Sequence, residues 1–236
     1  EQEVATQTAI RVRQEAERKA TAERIQANVP APVPDPEPPA DADPITRALF
    51  GLKSSNQHRR SEAVRKLRGM NPVDDRREEV HKALEPLLDD SSPFVVNDVI
   101  KTMAVWQTPE TVTALIAKTR DSRFNVRWQA IETLGNLGDP KAAPALAECL
   151  KEDAIKSEPA LRALGPAAES AVLPLLRSSD PALRRRACSV LADIGGAATL
   201  DFMRKARPDP DLGVRMAAQN AMRSIADRTG STAKTH

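Results

Sequence analysis

The chain has 236 residues, a formal net charge of +2, and only 3% aromatic residues, with no tyrosine. Leu, Ala, Val and Ile must therefore form its core. No apolar run approaches the ~18 residues of a membrane-spanning helix, no signal-peptide pattern is present, and two cysteines are too few for a disulfide framework.

Residues 1–28 are rich in Ala, Glu, Arg and Gln and lack Gly and Pro, a composition that predicts a helix. Its apolar residues make no good heptad seam. Two readings follow: a solvated helix that frays, or a stalk or partner-binding helix. Residues 29–43 form a Pro-rich linker. Within it, residues 30–39 read Pro-Ala-Pro-Val-Pro-Asp-Pro-Glu-Pro-Pro, a polyproline II spacer of about 3.1 Å per residue. The same run also fits a ligand for an aromatic groove. Residues 1–43 carry five Lys/Arg and nine Asp/Glu, so the leader is acidic and the remainder mildly basic.

From residue 44 to 229 one pattern recurs. Val126, Ala130, Leu134 and Leu137 are spaced by four, four and three residues and share one helical face. The template repeats at Val95, Val99, Met103 and Trp106, at Leu183, Ala187, Leu191 and Ile194, and at Val214, Ala218, Met222 and Ile225. Two weaker copies have Arg59 and Lys156 at the anchor position, and Gly165-Pro166 shortens the second of these. The small residues at 63, 99, 130, 160, 187 and 218 recur every 27 to 36 positions, which signals a solenoid of about six helix pairs. A preceding partner helix is predicted for each pair, as at Val80–Leu88, Thr111–Ile116, Ala145–Leu150 and Val172–Leu176. Pro109, Pro140 and Pro166 suit first helical turns; Pro86, Pro144 and Pro174 are expected to kink the partner helices. Gly135 and Gly138 read as a helix stop, as do Gly195 and Gly196. Residues 230–236 read as a disordered tail.

The run Asp-x-x-x-x-Val-Arg-x-x-Ala-x-x-x-Leu-Gly-x-Leu-Gly-Asp-Pro at 121–140 resembles a HEAT repeat of the short bacterial type also seen in phycobilisome-lyase proteins. The resemblance implies an all-α, armadillo-like α-solenoid whose second helices line a concave face. The family is functionally broad, so the resemblance bears on architecture more than on activity.

No catalytic or metal-ligating set emerges. His58, His81 and His236 lack partners at ligand spacing, there is no phosphate-binding glycine loop, and no serine sits in a nucleophile-elbow context. No enzyme activity and no cofactor are expected. Cys149 and Cys188 read as core residues. Asp121/Arg127, Asp180/Arg184 and Asp209/Arg215 read as a structural ladder between repeats, with ligand contact as the other reading.

One step round the helix from the core stripe lie Arg65, Lys101, Arg162, Arg185 and Trp128, the candidate partner-binding face. A basic cluster of Arg59, Arg60, Arg65, Lys66 and Arg68 opens it. Trp128 either packs on the adjacent repeat or anchors a ligand, Trp and Arg being favoured hot-spot residues. The leading functional reading is a non-enzymatic scaffold whose concave face binds a protein, with the leader as tether. Nucleic-acid binding by the basic groove is the second reading, and a lyase-type or glycosylase-type subunit, suggested by the resemblance alone, the third. The cytoplasm is the expected compartment, with membrane attachment only through a segment preceding Glu1. Oligomeric state is left open.

Overall fold

The computed structural model describes residues 15, 17–19, 35, 37–206 and 208–230. The predicted leader helix apart from helical residues 15 and 17–19, residues 29–34 and 36 of the Pro-rich linker, and the tail after Gly230 lie outside the described residues. Two compact units are present, residues 1–36 and residues 37–236.

The second unit is a solenoid of six helix pairs. In chain order the pairs are α1 (Pro44–Gly51) with α2 (Gln57–Arg68), α3 (Arg77–Leu84) with α4 (Pro93–Val105), and α5 (Thr111–Lys118) with α6 (Phe124–Leu137). They continue with α7 (Ala143–Glu148) and α8 (Ala154–Leu164), α9 (Glu169–Val172) and α10 (Pro181–Ile194), and α11 (Thr199–Ala206) and α12 (Leu212–Thr229). No strand occurs among the described residues. Each second helix packs on the next, from α2 to α12, so the core is one continuous layer and each repeat is stabilised mainly by its neighbours.

The core follows the four-four-three spacing. Val95, Val99, Met103 and Trp106 are buried, as are Val126, Ala130 and Leu134. Ala187, Leu191, Val214, Ala218 and Ile225 continue the same layer, while Leu137 and Met222 are partly buried against it. Cys188 is buried and Cys149 half-buried; neither is in a disulfide. Burial pushes the Cys188 thiol up to about 11, as expected for a thiol behaving as a small apolar side chain.

The prolines act differently from the kink expected of them. Pro86 and Pro174 sit in 3₁₀ turns, Glu85–Asp89 and Leu173–Arg177, that follow α3 and α9. Pro144 lies in the first turn of α7, where its missing N–H has no intrahelical partner to lose. The first helices are therefore truncated rather than bent. The proline inside a helix is Pro159 in α8. Pro44, Pro93 and Pro181 open α1, α4 and α10.

Gly135 corrects the expected stop. It lies inside α6 and is buried; the helix ends at Gly138, whose φ of 70° is left-handed. A Cβ on Gly135 would lie 2.7 Å from both Cα and Cβ of Ala160 in α8. The glycine is there because the two backbones touch. Where expected, α8 does stop at Leu164, before Gly165 (φ 62°).

Candidate functional site

The turns before the second helices share one device. Asp90, Asp121, Asp180 and Asp209 each accept a hydrogen bond from the backbone N–H two residues on, at 2.8 to 2.9 Å. This is the local geometry that Asp side chains provide in turns. An arginine one residue after the helix anchor then joins two repeats. Arg60, Arg127 and Arg184 each direct Nη1 at two carbonyls of their own turn and Nε with Nη2 at both oxygens of an aspartate in the next repeat. Those aspartates are Asp90, Asp153 and Asp209. A rigid fork of donors suits this double task.

The rungs are not the sequence-local pairs. Asp180 caps its own helix through the Ala182 N–H, and Arg184 crosses to Asp209 with both bonds at 2.7 Å. Arg215 reaches only the carbonyls of Asp209 and Pro210. Asp121 pairs with Arg123; that guanidinium, against the opposing effect of burial, holds the carboxyl at about 2. The second and fourth repeats have Val96 and Ser157 where the arginine would stand. There the following repeat reaches back: Arg123 donates to the Asp90 carbonyl, and Arg186 to the carbonyls of Leu150 and Lys151. The turn carbonyl left open by a missing arginine is thus filled from the neighbour.

Asp153 differs from Asp90, Asp121 and Asp209 in that all three of its hydrogen bonds come from side chains. It is 6% exposed and accepts from Arg127 at 2.9 and 3.3 Å and from Trp128 Nε1 at 2.6 Å. Asp153→Ala leaves a guanidinium arm and an indole N–H without a partner. It is expected to cost about 2–3 kcal/mol, less than the ~3–5 kcal/mol of a fully buried pair because Arg127 keeps about a fifth of its side-chain surface in water. Urea midpoints measure the loss, and Asp153→Asn, which keeps one acceptor, should recover part of it.

The predicted partner-binding residues divide. Arg65 bonds Asp98 and Ser61, and Arg162 bonds Asp193, Glu158 and Ser189. Within the first-repeat basic cluster, Arg60 is held by Asp90, Arg68 by Asp98 and Lys66 by Glu62. Lys101 and Arg185 are exposed and have no ion pair with any described residue. Trp128 is half-buried, its N–H on Asp153 and its ring meeting the edge of Phe124 at a centroid distance of 5.4 Å.

A set of exposed apolar side chains accompanies these residues, one or two positions before the anchor of α4, α6, α8 and α12, with none on α10. It consists of Phe94 (75% exposed), Phe124 (61%), Ile155 (72%) and Leu212 (61%), with Met216 one turn beyond Leu212. Isolated exposed apolar residues are ordinary, but their recurrence at the start of four second helices is not. The core stripe does not predict it, although an apolar residue one or two positions before the anchor is visible in these four repeats. Two clefts open beside these side chains. One of about 370 Å³ lies between α2 and α4 and includes Phe94, Asn97 and Lys101. The other, of about 520 Å³, includes Trp128, Ile155, Pro159 and Arg162. Among the described residues no group of three or more His, Cys, Asp or Glu side chains is placed to hold a metal, and no helix is long and apolar enough to cross a membrane.

The family profile of HEAT repeats matches residues 82–165 and 157–223. No curated protein matches the chain. Among solved structures, an engineered protein is 17% identical over 80% of this chain and 98% of its own, with a TM-score of 0.47. A designed armadillo repeat protein is 17% identical over 78% of this chain and 100% of its own, with a TM-score of 0.46. The complex of CpcE and CpcF of phycocyanin lyase from a Nostoc species is 20% identical over 80% of this chain and 79% of that chain, with a TM-score of 0.49.

Proposed function

The chain belongs to the HEAT-repeat family, and on that premise we propose that it is a non-enzymatic scaffold whose second-helix face docks a partner protein. The observation that carries this reading is the exposure of Phe94, Phe124 and Ile155 on the successive second helices α4, α6 and α8, and of Leu212 on α12, with Ile155 lining the Trp128 cleft. Water contact with such side chains is costly, by about 1.5–3 kcal/mol per large side chain that a partner would bury. Residues 1–28 and 29–43 act in this reading as tether and spacer for the solenoid.

Most arginines of this face are already engaged by carboxylates. Only an unengaged cation is fully available to phosphate, so a protein surface is favoured over a nucleic-acid backbone as the ligand.

Site-specific photo-crosslinking tests the proposal. A crosslinking residue at Ile155 should capture a discrete protein from cells of the source organism. The same residue at Asp74, 94% exposed in the turn before α3, should not. The double substitution Phe124→Ala/Ile155→Asp should reduce capture through a crosslinker at Leu212 more than tenfold while leaving the thermal midpoint unchanged. Equal capture at Ile155 and Asp74 would remove the proposal.

A further inference from the structure

The arginine rungs do not join every pair of neighbouring repeats. They join the first repeat to the second (Arg60–Asp90), the third to the fourth (Arg127–Asp153) and the fifth to the sixth (Arg184–Asp209). Among the described residues no such fork crosses from the second repeat to the third or from the fourth to the fifth, where Val96 and Ser157 stand in the arginine's place. A turn carboxylate is present at both gaps, Asp121 being turned to Arg123 and Asp180 to its own helix; what is missing is the arginine.

Other contacts fall into the same groups. Thr102 and Trp106 donate to carbonyls of α2, Trp128 to Asp153, and Ser224 to the carbonyl of Ala192, so each rung is reinforced by a further bond between the same two repeats. The second helices also pack more extensively within these three pairs than α4 does on α6, and α8 on α10 packs least of all. At the first gap the links are Arg123 on the Asp90 carbonyl, Lys118 with exposed Asp89, and His81 with Thr111 at 3.5 Å. At the second they are Arg186 on the Leu150 and Lys151 carbonyls, and Arg162 with exposed Asp193 and Ser189. A carboxylate gripped at both oxygens by a planar fork is fixed in direction as well as distance. A carbonyl accepts over a broad range of directions, and an exposed ion pair contributes little. In a stack held by nearest-neighbour interfaces, unequal interfaces give unequal freedom.

We propose that the solenoid moves as three rigid modules of two repeats each, α1–α4, α5–α8 and α9–α12, bending at the two joints that lack a fork and most at the joint between α8 and α10. The cleft at Trp128 straddles that looser joint, because Arg186 of α10 lines it together with Trp128 and Ile155. Bending there moves Arg186 relative to Trp128 and changes the width of the cleft, a hinge motion about an interface. The inference holds whether or not a partner docks on the second-helix face.

Double electron–electron resonance on the full chain tests it, with Cys149→Ala and Cys188→Ala removing the native thiols. Spin labels go in pairs on exposed side chains, each pair spanning three repeat steps. Labels at positions 101 and 185, in the second and fifth repeats, are separated by both joints and one rung. Labels at positions 66 and 163, in the first and fourth, are separated by one joint and two rungs. The distance distribution of the first pair should be at least about 1.4 times as broad as that of the second, since independent bends at nearest-neighbour interfaces add their variances and the additional joint is the looser one. Arg127→Lys keeps the charge and loses the fork, so it should broaden the distribution between positions 66 and 163 with unchanged helical circular dichroism. Equal widths for the two pairs, a broader distribution for the pair at 66 and 163, or a width there that Arg127→Lys leaves unmoved would overturn the inference.

Discussion

Replacing Trp106 by alanine should lower the stability of the solenoid by about 3–5 kcal/mol, the range for deleting a buried aromatic side chain. Trp106 follows the last turn of α4 and is completely buried. Its Nε1 donates to the carbonyl of Leu67 near the end of α2 at 2.7 Å, tying the second repeat to the first. The substitution opens a cavity between the two repeats and leaves that carbonyl without its partner. Because stability in a repeat array is a sum over neighbours, the damage should be uneven. Amide exchange should accelerate most in α1 and α2, while α10 and α12 retain protection. Trp106→Phe keeps most of the apolar volume and loses the hydrogen bond, so it should cost about 1–2 kcal/mol. An equal rise in exchange across all six pairs would show that Trp106 is not the local coupling described.

The second large effect is expected at Gly135. Alanine is favoured over glycine within a helix by about 1 kcal/mol, so propensity alone predicts that Gly135→Ala stabilises α6. Contact predicts the reverse. A Cβ at this position would lie 2.7 Å from the Ala160 backbone, which cannot swing aside as a side-chain tip would. We expect Gly135→Ala to destabilise by about 1 kcal/mol net and Gly135→Val by about 3 kcal/mol, in the range of overpacked cores. Thermal midpoints of the single variants and of Gly135→Ala/Ala160→Gly complete a double-mutant cycle. The double variant should recover part of the loss, because one of the two 2.7 Å contacts is to the Ala160 Cβ and the other to its Cα. A raised midpoint for Gly135→Ala would mean that α8 moves away at little cost.

These two residues separate the levels at which the chain is legible. Trp106 could be assigned to the core from its sequence position because it stands where Leu137 stands in the next repeat. Spacing within one helix determines which side faces inward, and that is a local property. Gly135 reads as a helix stop in the sequence because its reason lies in another helix; nothing within α6 announces that the α8 backbone would lie 2.7 Å from a Cβ at this position. The ladder behaves in the same way. An acidic turn followed by an arginine is plain in the sequence, but the partner of Arg127 is Asp153 and that of Arg184 is Asp209, each supplied by the following repeat.

The proposed site shows the same division. The positions of Arg65 and Arg162 on the face beside the core stripe follow from helical periodicity. Their engagement by Asp98 and Asp193 depends on how adjacent helices are set against each other. The same setting leaves Lys101 and Arg185 without an ion pair among the described residues and brings Phe124 and Trp128 edge to face.

By itself, the sequence determined the repeat, its period, the inward face of each second helix and the family. Only the tertiary structure decided which charges are already spent, which apolar side chains remain in water and where two backbones meet. The physical reason is range. Helical periodicity acts over a few residues, whereas the neutralisation of a charge and the cover over an apolar side chain depend on groups about 25 to 35 residues away along the chain and adjacent only in the stack.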